Sequence, residues 1–97
     1  MKFKETKITL NDMKVGEPQT FYFTIINEGA PDNFALDPCC GSCTTVFPSK
    51  TSVEQGEELL VKAVFTPSSS GNLNKCIKLM QNKKIESKLW FQTKVEI

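Results

Sequence analysis

Three of the four cysteines stand within five residues, at Cys39, Cys40 and Cys43, and the fourth, Cys76, lies far along the chain. Three chemistries are open to such a set. A zinc site wants two short-spaced ligand pairs, and only Cys40-x-x-Cys43 has that spacing; Cys39 and Cys76 are irregular partners. Adjacent Cys39 and Cys40 on an extended chain also point to opposite sides. A thiol-redox site would use Cys40-Gly41-Ser42-Cys43, but a reactive first cysteine needs a helix N-terminus or a cation to lower its pKa. Here strand-like residues precede the motif and strand-like Thr44-Thr-Val-Phe47 follows it. The third chemistry is structural: buried or disulfide-linked cysteines that pin a turn in a small domain. The order of preference is structural, then zinc, then redox. Four cysteines allow three disulfide connectivities, and spacing does not choose among them.

Other chemistry has fewer candidates. Histidine is absent, which removes the commonest general base and zinc ligand. Asp12, Glu17, Asp32 and Asp37 are scattered near turns, where acids serve as turn formers. Ser68–Ser70 form a loop without a partner base, and no G-x-S-x-G, P-loop or G-x-G-x-x-G occurs. The expectation is a non-enzyme without metal or other cofactor. All twelve basic residues are lysine; without the planar arginine fork, nucleic acid is not an expected partner. Charge is uneven along the chain. Residues 1–70 carry six lysines against nine acids (−3), and residues 71–97 six lysines against two (+4).

The elements that must position these residues are strands. Periodicity of two dominates, and no segment sustains a helical repeat. Expected strands are Thr6–Leu10 at an edge, Gln19–Asn27, a short one at Phe34 and Leu36, Thr44–Phe47, Thr51–Val53, Glu58–Thr66, and a final hairpin of Leu73–Met80 with Lys84–Val95 across Gln81-Asn82-Lys83. Pairing Leu79 with Ile85 sets Lys78 opposite Glu86, Asn74 opposite Trp90 and Cys76 opposite Lys88. The expected core is Phe21, Phe23, Ile25, Phe34, Leu36, Val61, Phe65, Ile77, Leu79, Leu89 and Phe91. About seven short strands in 97 residues predict an all-β fold, an immunoglobulin-like antiparallel β-sandwich forming one domain over residues 1–97.

The order of Phe23-x-x-x-Asn27-x-Gly29, Phe34-x-Leu36, Cys40-Gly41-Ser42-Cys43-Thr44, Pro48, Gly56-Glu57, Val61-x-x-x-Phe65, Gly71-x-Leu73-x-Lys75-x-Ile77 and Leu89-x-Phe91 resembles a bacterial family of unknown function with a Ser-Cys-Gly-Cys-Thr signature. That family is similar to Hydin-type (ASH) immunoglobulin-like domains and to the major sperm protein fold. The resemblance covers residues 14–95. It departs at the cysteines, where one residue more separates the pair, at Gln55 before Gly56-Glu57, and at Thr93, where a glycine is frequent. It implies a non-catalytic scaffold for protein–protein contact.

Alternation puts Trp90 on the outer face of the last strand, among Glu86, Lys88, Gln92 and Lys94, and Tyr22 on the outer face of another. Trp90, Lys88, Lys78 and Tyr22 are therefore the candidate binding residues for a protein partner. A phage virion or accessory protein is the most concrete version of this expectation. The rival is a cysteine-loop protein of zinc or redox chemistry. The charged N-terminus, Met1-Lys-Phe-Lys-Glu-Thr-Lys7, has no apolar h-region, and no run is long enough to span a membrane as a helix. The expected location is cytoplasmic or virion-associated, without a membrane partner.

Overall fold

The structure, a computed structural model, describes residues 2–29, 32–39, 43–48, 50, 52–81 and 84–97. The strands in order are β1 (Lys2–Phe3), β2 (Lys7–Thr9), β3 (Met13–Lys14), β4 (Gln19–Ile26), β5 (Asp32–Asn33), β6 (Ala35–Pro38), β7 (Thr44–Phe47), β8 (Ser52–Val53), β9 (Glu58–Phe65), β10 (Gly71–Gln81) and β11 (Lys84–Glu96). One sheet runs β1-β4-β9-β7 and the other β2-β11-β10-β6, with β3 continuing β2 along β11; β5 and β8 form a small ribbon. This is the four-on-three strand order of an immunoglobulin sandwich with an N-terminal segment divided between the sheets. Among the described residues no helix is long and apolar enough to cross a membrane.

The division explains the parallel pairing along β11. β1 pairs antiparallel with β4, and the chain then crosses to the other sheet, where β2 and β3 run parallel to β11. Between them the ladder breaks at residues 10–12, and Thr93 Oγ1 donates to the Asn11 carbonyl at 2.8 Å. A hydroxyl at this position of the last strand thus satisfies a backbone group freed by the break.

The core forms as alternation requires. β4 and β9 read as buried Phe21, Phe23 and Ile25 against Leu59, Val61, Ala63 and Phe65, each set on one face of its strand. Phe91 from the opposite sheet joins the layers, its ring centroid 4.9 Å from that of Phe21 and 5.2 Å from that of Phe65. All the expected core residues are buried except Leu36, which packs against the cluster while partly exposed. Phe3, Met13 and Val53 join them from two-residue strands too short for a period to be read, and Leu10 and Val95 from the ends of expected strands.

The final hairpin has a different register from the expected one. Leu79 pairs with Ser87, Ile77 with Leu89, Lys75 with Phe91, Cys76 with Trp90 and Lys78 with Lys88. Two features shift it. Gln81 pairs directly with Lys84, so residues 82–83 connect the strands where three residues had been expected, and the ladder then slips past Glu86 between Leu79 and Met80. A bulge of this kind inserts one unpaired residue and bends the strand. The two single-residue shifts sum to an even number, so from Ser87 onward each side chain keeps its expected face although its partner changes, whereas Ile85, before the slip, pairs with outward Met80 and is exposed. Lys78 consequently loses the expected Glu86 pairing and meets Asp37 of β6 instead, Nζ to Oδ2 3.0 Å. Asn82 and Lys83 lie outside the described residues.

Candidate binding face and cysteine staple

β6 delivers the cysteines. It pairs antiparallel with β10 from Met80↔Ala35 to Ile77↔Pro38, and one step further the Cys39 N–H donates to the Cys76 carbonyl at 2.9 Å. Cys39 and Cys76 thus stand directly opposite each other, with Cα atoms 5.2 Å apart, and are joined by a disulfide. That separation lies within the ordinary range for disulfides. Unlike the inter-sheet bridge of antibody domains, this one ties two neighbouring strands of a single sheet. Cys43 is also disulfide-bonded. Cys40, Gly41 and Ser42, the centre of the expected cysteine motif, lie outside the described residues. A sulfur held in a disulfide is neither a thiolate ligand nor a nucleophile.

Trp90 of β11 stands directly opposite Cys76 of β10, on the side away from Cys39. By alternation this outer face presents Lys7 and Thr9 of β2, Lys88, Trp90, Gln92 and Lys94 of β11, and Asn74, Cys76 and Lys78 of β10. Cys76 is 2% exposed although it lies on the solvent side, since disulfide and indole flank it, while Trp90 itself is 41% exposed. The Trp90 N–H donates to the Thr6 carbonyl at 2.9 Å, which ties its backbone to the edge strand. Beside the indole lies a shallow depression of about 410 Å³ lined by Thr6, Lys7, Asn74, Trp90 and Gln92. The Gln92 amide is held towards the edge by a 3.2 Å donation to Thr9 Oγ1. The face therefore combines one large aromatic surface with amide donors and acceptors and a rim of ammonium groups.

The structure does not assemble all four candidate binding residues. Trp90, Lys88 and Lys78 share this face, with Lys78 and Lys88 directly opposite each other, whereas Tyr22 projects from the other sheet. There Tyr22, Lys62 and Phe47 form one cross-strand row over β4, β9 and β7, with the Lys62 ammonium 5.6 Å from the Phe47 ring centre. Leu60, two residues from Lys62, adds to the exposed apolar surface. Phe47 and Leu60 were not among the expected site residues. Alternation along their strands places them outward, and only the pairing of three strands gathers them around Tyr22.

The sequence motifs of the opposite end are structural. Asn27, 2% exposed, donates through Nδ2 to the Val53 carbonyl at 2.7 Å and accepts the Gly29 N–H on Oδ1 at 3.0 Å. Its backbone closes the same junction, its carbonyl accepting from Gly56 at 2.7 Å and its N–H donating to Glu57 at 3.2 Å. Gly56 has φ +78°, a left-handed conformation natural to glycine. Glu57 Oε1 accepts the Glu54 N–H, and its other oxygen accepts from the Lys50 ammonium. These bonds, the Lys50 one first, hold the Glu57 carboxyl below its ordinary pKa.

No curated protein matches the chain. Among solved structures, a protein of unknown function from Porphyromonas gingivalis W83 has a similar fold, with a TM-score of 0.67 and 16% identity over 96% of this chain and 44% of that one. The chain thus spans less than half of that protein. The ASH / PapD-like domain 7 of human CEP192 is similar over 97% of this chain and 82% of that one, with a TM-score of 0.61 and 15% identity. At such identities these likenesses establish the immunoglobulin-like, PapD-like sandwich and nothing finer. In sequence, a family model spans residues 1–95, and the chain belongs to DUF1573, a family of proteins of unknown function.

Proposed function

We propose that the chain is a non-enzymatic immunoglobulin-like module that binds a protein partner through the outer face of the β2-β11-β10-β6 sheet, with Trp90 as the anchor and Lys88 and Lys78 beside it. The observation that carries this reading is a tryptophan 41% exposed in the middle of a sheet face and bordered by polar and basic side chains. Tryptophan at the centre of a patch with a polar rim is the composition of an interaction hot spot. The non-enzymatic part is supported by the absence of histidine from the sequence and by the disulfide bonding of Cys39, Cys43 and Cys76. The same pairing counts against the zinc or thiol-redox alternative. It also favours an oxidising compartment over the cytoplasm. The narrower expectation of a phage virion or accessory role finds no support in the family or the fold likenesses, and the reading does not depend on it.

The test is affinity isolation of partners, their identification, and titration of the purified partner against variants. Trp90→Ala is expected to weaken binding by ~2 kcal/mol or more, about thirtyfold, with little change in melting temperature. Tyr22→Ala, on the other sheet, leaves this affinity unchanged. Binding that ignores Trp90→Ala refutes the reading.

A further inference from the structure

The proposed face has a charge pattern that the fold does not neutralise. Lys78 and Lys88 stand directly opposite each other on β10 and β11, an arrangement that like charges disfavour. Asp37 reaches Lys78 at 3.0 Å, but Lys88 has no ion pair among the described residues. Nor has Lys7, which stands opposite Trp90 on β2. The indole is thus bordered along its strand by one unneutralised ammonium and across the sheet by another. Further along β11 the charge is mixed: Asp12 and Lys94 line a second depression together, and Glu96 lies two residues on. The positive region is therefore local to Lys7, Trp90, Lys88 and Lys78.

Resting on the protein-binding reading above, we propose that the segment recognised at this face is acidic, an apolar side chain flanked by aspartate or glutamate. The apolar group lies against the indole, one carboxylate meets Lys88 and another Lys7. Asn74 and Gln92, both at the wall of the depression beside Trp90, supply donors and acceptors for the peptide backbone. The ammonium groups are point charges on flexible stems without arginine's fork, which suits single carboxylates better than the regular phosphate array of a nucleic acid. Across the molecule, the Tyr22, Phe47 and Leu60 patch has Lys62 already placed over a ring and Lys4 paired with Glu58.

A random dodecapeptide display library, selected on the full oxidised chain and counter-selected on Trp90→Ala, tests this directly. Enriched sequences are expected to carry acidic residues on both sides of an aromatic or aliphatic one. The best synthetic peptide should lose affinity about five- to tenfold in the Lys7→Gln, Lys88→Gln double variant, and also on raising salt. Lys62→Gln, a charge removed from the opposite sheet, should change nothing, and circular dichroism melting checks that each variant is folded. Enriched peptides that are neutral or basic, or an affinity indifferent to Lys7 and Lys88, overturn the acidic partner while leaving the Trp90 face in place. An oligothymidylate that outcompetes the peptides overturns it in favour of a polyanion. Failure of any peptide to depend on Trp90 removes the binding reading itself, and this inference with it.

Discussion

Asn27 ties the end of β4 to both β8 and the turn into β9, and it does so from a fully buried position. Truncation leaves the Val53 carbonyl and the Gly29 N–H without their partner in a place water does not reach. Asn27→Ala should therefore cost about 1–3 kcal/mol, read from the urea midpoint at unchanged slope. Aspartate keeps the acceptor for Gly29 but loses the donor to Val53, so Asn27→Asp is expected to recover only part of the loss. Glu57, whose backbone carbonyl accepts the Asn27 N–H, makes a different kind of prediction. Its carboxyl is held below the ordinary range chiefly by the Lys50 hydrogen bond, so the unfolded chain takes up its proton at a higher pH than the folded one. Its contribution is present above the unfolded-state pKa and fades as pH falls through the folded-state value. Because the group is exposed, the effect is small and screened by salt. Urea melts in mildly acid buffer should fall less steeply with decreasing pH for Glu57→Gln than for the native chain; equal slopes would show that the turn does not depend on this charge.

At the level of elements, the staple between β6 and β10 carries the sharpest expectation. It closes a loop of sequence separation 37, for which chain entropy gives about 4 kcal/mol, an upper figure if the reduced chain retains structure. Reduction, or the double change Cys39→Ser and Cys76→Ser, should lower stability by about 2–4 kcal/mol and loosen β6 first, since β6 is an edge strand. Hydrogen exchange would then show new opening at Leu36 and Asp37 while β4 and β9 stay protected. Uniform loss of protection across both sheets would mean that the bridge stabilises the whole sandwich and not its edge. The hairpin makes a second point at this scale. The two small irregularities, a shorter connection and the slip at Glu86, cancel in parity but not in pairing. Lys78 and Lys88 come to face each other for that reason alone.

The whole molecule depends on the seam between its two sheets, and Phe91 occupies it. Its ring touches those of Phe21 and Phe65 from across the layer and is 1% exposed. Phe91→Ala should cost about 3–5 kcal/mol, the usual consequence of leaving a phenyl-sized cavity in a core. Small domains have about 5–15 kcal/mol in total, so the variant is expected to sit close to its unfolding threshold at ambient temperature. Calorimetry would detect this as a large drop in melting temperature. A loss below about 1 kcal/mol would show that the layers repack around the gap. Both candidate patches are carried on the outside of this sandwich, on opposite sheets, so a partner on one leaves the other open.

Which side chains face inward was legible from the sequence, because a strand's period of two leaves one apolar set per strand and burial demands it. Phe21, Phe23 and Ile25, or Leu89 and Phe91, admit only one face, and Trp90 out of phase with its neighbours admits only the other. The turn at Gly56 was readable from residue chemistry, as was the immunoglobulin-like class. Pairing was not. Alternation is blind to a shift of two residues, so the register of β10 and β11 waited on a bulge that no residue type announces. The Cys39–Cys76 partnership likewise depended on β6 lying beside β10, one choice among three that spacing leaves equal. The candidate sites follow the same division. Their outward residues could be named from local period, but which of them are neighbours, Trp90 with Lys7 and Lys88, Tyr22 with Phe47, is fixed only when distant strands are laid side by side.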